Sequence, residues 1–238
     1  MALQHEMVKQ GNFLFRHRGT LPILIIIPAL LLRYCGIQTD SLATQASIIT
    51  YLAYGIALIG LCIRFIVVGH AAPNTSGRNT QGQMADTINS NGLYSVVRHP
   101  LYLGNFLMWL GPALLTLHSW FIVAFILLYW VYYERIMLAE EDYLRNKFGQ
   151  PYEEWAAGRP AFIPDLAKWK PYENKLLLYK AIYQEKTGFL WLNLIFWLFG
   201  ALNAHSIAAA LTSLAPWNIL LLISIVLYIL LKLTKRNK

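Results

Sequence analysis

Long apolar runs alternate with polar connections along this chain. The runs fall at about 20–37, 46–69, 101–117, 119–139, 188–211 and 216–233, each near the roughly 20 residues that a helix needs to cross a hydrocarbon core. Six membrane-spanning helices are predicted. The third run is short and carries Pro112, and the fourth follows almost immediately through His118 and Ser119, so these two must form a tight helical hairpin. The fourth helix is predicted to run on past the membrane surface through 129–148, with Gly149 as its C-cap and Pro151 just beyond. Farther along, 171–186 alternates Leu176, Leu177, Tyr179, Ile182 and Tyr183 with Lys175, Lys180 and Lys186. That pattern predicts an amphipathic helix lying on the inner leaflet.

Composition agrees with this reading. The 238 residues are 57% hydrophobic and 13% charged, too apolar for one soluble core to hide, so an all-α polytopic membrane protein is expected, with no Rossmann domain and no separate soluble domain. The net charge of +8 raises nucleic acid as a partner. The basic residues sit between or beside apolar runs, however, where anionic lipid head groups are the natural partner, and nucleic-acid binding is rejected. Cys35 and Cys62 lie in apolar runs without a neighbouring His or second Cys. They read as buried thiols, supporting neither a disulfide framework nor a metal site. Lys9, Arg16 and Arg18 precede the first apolar run and no convincing small-residue cleavage site follows, which predicts a retained first span rather than a removed signal peptide.

Charge also sets the expected orientation. Lys and Arg concentrate before residue 20, in the 70–100 loop, in 140–187 and after 234, whereas the connections near 38–45, 118 and 212–215 hold none. By the positive-inside rule both termini and both long polar segments are cytoplasmic. Arg33 and Arg64 fall within or at the ends of apolar runs, where an ionisable group is costly unless it snorkels or finds a partner. Both are expected to snorkel.

The candidate chemistry gathers around Gly92-Leu93-Tyr94-Ser95-Val96-Val97-Arg98-His99-Pro100-Leu101-Tyr102-Leu103-Gly104-Asn105. Pro100 suits the first turn of a helix and biases His99 toward an extended shape, so a helix is expected to start there, its N-terminal N–H groups offering a seat for an anionic group. Gly104 and Gly111 lie seven apart on one face, where a helix or a flat cofactor could approach closely. The polar loop 73–83 leads into this stretch and is a candidate cover for a ligand. On the fourth helix lie Glu134, Arg135, Glu140, Glu141 and Asp142. They could form a solvated acidic turn, with Glu141 and Arg145 in favourable order for an ion pair.

Arg98-His99-Pro100-Leu101-Tyr102-Leu103-Gly104, followed by Glu140-Glu141 and then Phe148-Gly149-Gln150-Pro151-Tyr152, closely resembles the signature of the isoprenylcysteine carboxyl methyltransferase and phospholipid methyltransferase superfamily. Asn91-Gly92-Leu93-Tyr94-Ser95 resembles its lead-in. The resemblance covers roughly 50–165 of a single membrane domain spanning 1–238, leaving the two helices of about 188–238 as additions. It implies a membrane-embedded enzyme that transfers a methyl group from S-adenosylmethionine. It also implies that Tyr94, His99, Pro100, Tyr102, Gly104 and one of Glu140 and Glu141 hold the cofactor. Arg98 and the other glutamate then face the acceptor. Carboxylates and aromatic faces suit a cationic donor, while basic groups suit its carboxylate or an anionic acceptor. A lipid or lipidated acceptor is expected, whether a phospholipid amine, a lipid phosphate or an isoprenylcysteine-like carboxylate, in a bacterial inner (cell) membrane. The alternatives are a membrane reductase related to the sterol reductases, whose Arg-His-x-x-Tyr-x-Gly motif normally continues with Asp where Asn105 stands here, and a small transporter. Against a transporter, the candidate groups gather on the cytoplasmic side rather than at mid-membrane.

Overall fold

A computed structural model describes residues 2–19, 21–72, 75, 83–202, 207–213 and 215–236. The chain order is α1 (Ala2–Arg16), α2 (Leu21–Tyr34), α3 (Asp40–Ala43), α4 (Ala46–His70), α5 (Leu93–Val96), α6 (Pro100–Leu114), α7 (Ser119–Phe148) and α8 (Gln150–Ala157), then a 3-10 turn at Leu166–Lys168, α9 (Leu178–Ala201), α10 (Ile207–Ser213) and α11 (Ala215–Arg236). Among the described residues there is no strand, and Gly92 and Lys170 form an isolated bridge. The protein is an all-α membrane protein. Three stretches are long and apolar enough to cross a bilayer, Ala46–His70, Ser119–Phe148 and Pro216–Thr234, and Ile23–Tyr34 is a shorter apolar helix. On α11, Ile219, Leu222, Ile223, Ile229 and Leu230 are all exposed, an apolar surface that only lipid can cover.

The expected hairpin forms where α6 ends at Leu114 and α7 starts at Ser119, with the His118 side chain capping the Phe121 N–H. α7 continues to Phe148 and stops at Gly149, whose φ of 60° needs a glycine. Two expectations about boundaries fail. The fifth run does not form one described helix: α9 ends at Ala201 and α10 begins at Ile207, with 203–206 outside the described residues. Nor is there a separate amphipathic helix over 171–186, since 171–177 is non-helical and α9 runs unbroken from Leu178 into the apolar segment. An interior glycine such as Gly188 costs a helix only about 1 kcal/mol, too little to end it.

α4 and α6 pack most closely. A Cβ on Gly60 would meet the Gly104 carbonyl at 2.5 Å, and one on Gly104 would meet Arg64 Cγ at 2.7 Å. The two backbones therefore touch, and Arg64 lies beside the first turns of α6. Two apolar clusters flank this contact. One joins α4, α9 and α11 through Ala53, Ala57, Leu192, Phe196, Phe199 and Trp217; the other joins α1, α6 and α7 through Phe15, Tyr102, Phe125, Tyr129, Tyr133 and Ile136. The second is a stack of aromatic rings beneath the candidate site.

Cys35 and Cys62 are exposed, not buried, because an apolar run in a membrane helix can face lipid as readily as protein. Arg33 is partly exposed in the last turn of α2, in keeping with snorkelling. Arg64 does not snorkel. Its Nε and Nη2 donate to Glu185 Oε2 and Oε1 at 2.9 and 2.7 Å, and Nη1 donates to Asn105 Oδ1 at 2.6 Å.

Candidate active site

Pro100 starts α6 as expected, and His99 before it is non-helical but not the extended residue expected, with φ −123° and ψ 62°. The N–H groups of Tyr102 and Leu103 go to the His99 carbonyl, so they are spent inside the helix rather than offered to an anion. The path of 96–99 between α5 and α6 is held from outside. Arg98 N–H donates to the Pro160 carbonyl, His99 N–H to the Ala161 carbonyl, and Asp165 N–H to the Val96 carbonyl. The segment after α8 thus lies along the Arg98-His99 backbone and fixes where both side chains leave it.

Glu140 and Glu141 reach His99 from α7. Glu141 Oε1 lies 2.9 Å from His99 Nε2, and Glu140 Oε2 lies 3.6 Å from Nδ1. The expected solvated acidic turn is therefore wrong for these two: the Glu141 side chain is 14% exposed and the Glu140 side chain 32%. Arg98 Nε lies 3.1 Å from the same Glu141 oxygen, while its Nη1 donates to the Ala156 carbonyl of α8 at 3.3 Å. Arg145 pairs with Glu153 at 3.2 Å instead of with Glu141, and Glu134 pairs with Arg135 at 2.8 Å.

A neutral imidazole has one N–H, yet each His99 nitrogen faces a carboxylate. Burial alone would lower the His99 pKa; hydrogen bonds and negative charge from Glu140 and Glu141 outweigh it and hold the pKa above its ordinary value. When His99 is protonated, the charges of the Arg98–Glu141–His99–Glu140 array balance. Burial raises the Tyr94 and Tyr152 hydroxyls well above their usual range, and nearby carboxylates add to the effect. Both stay neutral and can donate.

The array borders a small cleft with about 50 Å³ of free space. Tyr94, Arg98, His99 and Glu140 line it. Glu141 stands behind them, bonded to Arg98 and His99, and Tyr102 stacks on His99 at 5.6 Å between ring centres. Pro100 is buried at the helix start, and the space beside Gly104 is filled by α4. Most of the 73–83 loop lies outside the described residues, but Thr75 and Gln83 are described and both line the cleft. Met84, Tyr143, Tyr152 and Trp155 complete much of the wall. Trp155 was not anticipated, although it follows closely on the Gly149-Gln150-Pro151-Tyr152 run that starts α8. The Tyr152 hydroxyl and the Trp155 indole N–H are buried with no hydrogen-bond partner. Buried polar groups are normally paired, so two free donors beside one cleft fit a polar ligand.

The family model for phospholipid methyltransferase matches residues 49–151, which hold the Arg98-His99-Pro100 turn and both glutamates. The chain is similar to that family over this segment. A protein-S-isoprenylcysteine O-methyltransferase of Schizosaccharomyces pombe is 35% identical over 75 residues, 32% of this chain and 32% of that protein. The Saccharomyces cerevisiae protein of the same name is 32% identical over 117 residues, 48% of each chain. The chain thus spans between a third and a half of these relatives. The cobalt-zinc-cadmium resistance protein CzcN of Cupriavidus metallidurans is 26% identical over 160 residues, 67% of this chain and 69% of that protein. No solved structure matches the chain. Within the matched segment the Arg98-His99 turn before α6 and the glutamates of α7 form the array, whereas most of α8, the 159–165 segment and α9 lie beyond it.

Proposed function

We propose that the protein transfers a methyl group from S-adenosylmethionine to a membrane-associated acceptor. The observation that carries this reading is the clamp of Glu140 and Glu141 on His99 beside a cleft edged by unpaired donors, within a segment similar to the phospholipid methyltransferase family. The residues present fit the donor. Glu140 and the rings of Tyr94, Tyr143 and Trp155 offer negative charge and aromatic faces to a cation, and the Tyr152 and Trp155 donors offer hydrogen bonds to a carboxylate or a purine. When bound, the donor supplies an electrophilic methyl carbon on a sulfonium.

What remains for the protein is alignment and exclusion of water. Arg98, tied to Glu141 on one side and to the Ala156 carbonyl on the other, is placed to orient an acceptor oxygen. A carboxylate or phosphate acceptor is already ionised and needs no base, whereas an amine would give its proton to a carboxylate, and Glu140 is the more exposed of the pair. Pro100 and Gly104 serve this geometry through helix start and helix packing rather than by touching a ligand.

A lipid-like acceptor is supported by a second cavity of about 400 Å³ among α1, α2, α6 and α7, lined by Leu14, Ile25, Trp109, Phe125, Tyr129 and Tyr133. Tyr102 and Tyr133, whose rings lie 4.9 Å apart, connect this apolar cavity to His99. The clustering of basic residues supports a cytoplasmic cleft, where the donor is made. The reductase and transporter readings gain no support from any of these observations.

Two measurements test the proposal. Membranes incubated with methyl-labelled S-adenosylmethionine and separated into lipid, protein and volatile fractions should carry label in the lipid or lipidated fraction. Calorimetry on purified protein should show binding of S-adenosylmethionine and its demethylated product, and none of NADPH. The opposite preference would favour the reductase.

A further inference from the structure

The Arg64–Glu185 pair lies outside everything assigned above. Glu185 is 4% exposed and belongs to α9, beyond the family segment. Replacing a buried ion pair by apolar residues is often neutral or stabilising, so stability alone is a weak reason for it. What the pair does control is the direction of a hydrogen-bond chain. An arginine only donates, so the Asn105 atom that takes Arg64 Nη1 must be Oδ1, and the amide NH2 is left to donate to the Tyr133 hydroxyl at 3.2 Å. The Tyr129 hydroxyl gives its proton to the Tyr102 carbonyl at 2.8 Å. The Tyr133 ring stacks on Tyr129 with ring centres 4.2 Å apart and lies 4.9 Å from the Tyr102 ring. The contacts end on Tyr102, whose ring stacks on His99.

We propose that Glu185 is a positioning residue: through Arg64, Asn105, Tyr133 and Tyr129 helix α9 fixes Tyr102, and with it His99 and Glu140, in the geometry of the site. Helices outside the family segment then form part of the working unit. The proposal rests on the methyltransferase reading for one of its two readouts and not for the other.

The test is a double-mutant cycle of Glu185→Asp, which keeps the charge but retracts it by one methylene, with Tyr133→Phe, which leaves the ion pair and the ring stack intact. Two quantities are followed: single-turnover methyl transfer at saturating S-adenosylmethionine, and the nuclear magnetic resonance signal of isotope-labelled His99 imidazole. Each single variant should lower the rate about tenfold and shift the His99 signal, with donor affinity held within about twofold. The double variant should be no slower than the slower single, because both changes break one chain. A wild-type rate and unshifted His99 in Tyr133→Phe would overturn the proposal, leaving the pair as a staple between helices, and so would losses that multiply in the double variant. If wild-type protein transfers no methyl group, the proposed function fails. The His99 signal in the same four proteins still decides whether α9 positions the site, including where Glu185→Asp impairs folding, since Tyr133→Phe leaves the ion pair whole.

Discussion

Glu141 bonds both cations of the array, whereas Glu140 touches His99 alone and is more exposed. Glu141→Gln should therefore cost both activity and stability. Turnover should fall about tenfold or more, one decade for each 1.4 kcal/mol of lost transition-state stabilisation, and folding should weaken by roughly 1–3 kcal/mol as Arg98 and His99 lose a shared acceptor. Glu140→Gln should cost turnover by a similar factor with a smaller change in thermal midpoint. Near-wild-type turnover in both variants would return the pair to a structural role. Arg98→Lys separates orientation from charge. A guanidinium reaches Glu141 and the Ala156 carbonyl at once, an ammonium cannot fork in this way, and single-turnover rate should drop while donor affinity measured by calorimetry stays close to that of the parent. His99 adds a pH dependence of definite sign. Its pKa is raised in the folded protein, so its stabilising contribution is complete below the ordinary histidine value of about 6.5 and is lost as pH climbs through the higher folded value. The gap in thermal midpoint between wild type and His99→Gln, measured without donor, should narrow as pH rises above about 6.5. A gap that widens would place a neutral imidazole between the carboxylates.

At the scale of elements, what could be read from the sequence was what local chemistry decides. Pro100 announces α6, Gly149 ends α7, and run length separates the helices. The clamp was legible only as a pattern: Glu140 and Glu141 stand far from His99 in the chain, and resemblance to a family, not periodicity, linked them. Contacts between distant helices left no such trace. Arg64 and Glu185 are 121 residues apart in unrelated contexts, so Arg64 read as a snorkelling cation and the start of α9 as a surface helix. Gly104 shows a related limit. A small residue permits close approach without saying what approaches, and here it is the backbone of Gly60 and the stem of Arg64. Gly60→Val should accordingly push α4 from α6, with a stability cost of about 1–3 kcal/mol from overpacking and a loss of activity through displaced Arg64. Thermal unfolding in detergent, with methyl transfer assayed well below the midpoint, reads both effects. An unchanged midpoint would mean the helices can part without cost.

At the scale of the whole molecule, the proposal requires one face of the bundle to carry every polar part of the site. The cleft lies near the His70 end of α4, the Pro100 end of α6, the Phe148 end of α7 and the Leu178 end of α9, and each of these ends adjoins a segment rich in Lys and Arg. The opposite connections, including the one around Ser41, hold no basic residue. If basic segments stay on the side of synthesis, the cleft opens to the cytoplasm and the lipid-lined cavity opens sideways between helices. Cysteine labelling of intact cells tests this arrangement, with one precaution: Cys35 and Cys62 are exposed and must first be changed to alanine. In that background a cysteine at Ser41 should react with an impermeant thiol reagent from outside, while one at Glu173, exposed in the segment beside the cleft, should react only after the cells are opened. Ser41 and Glu173 reporting the same side would mean that the helices between them do not cross as proposed. The reverse pattern would put the cleft outside, away from any cytoplasmic pool of donor, and would remove the basis for S-adenosylmethionine as its ligand even if the His99 clamp were intact.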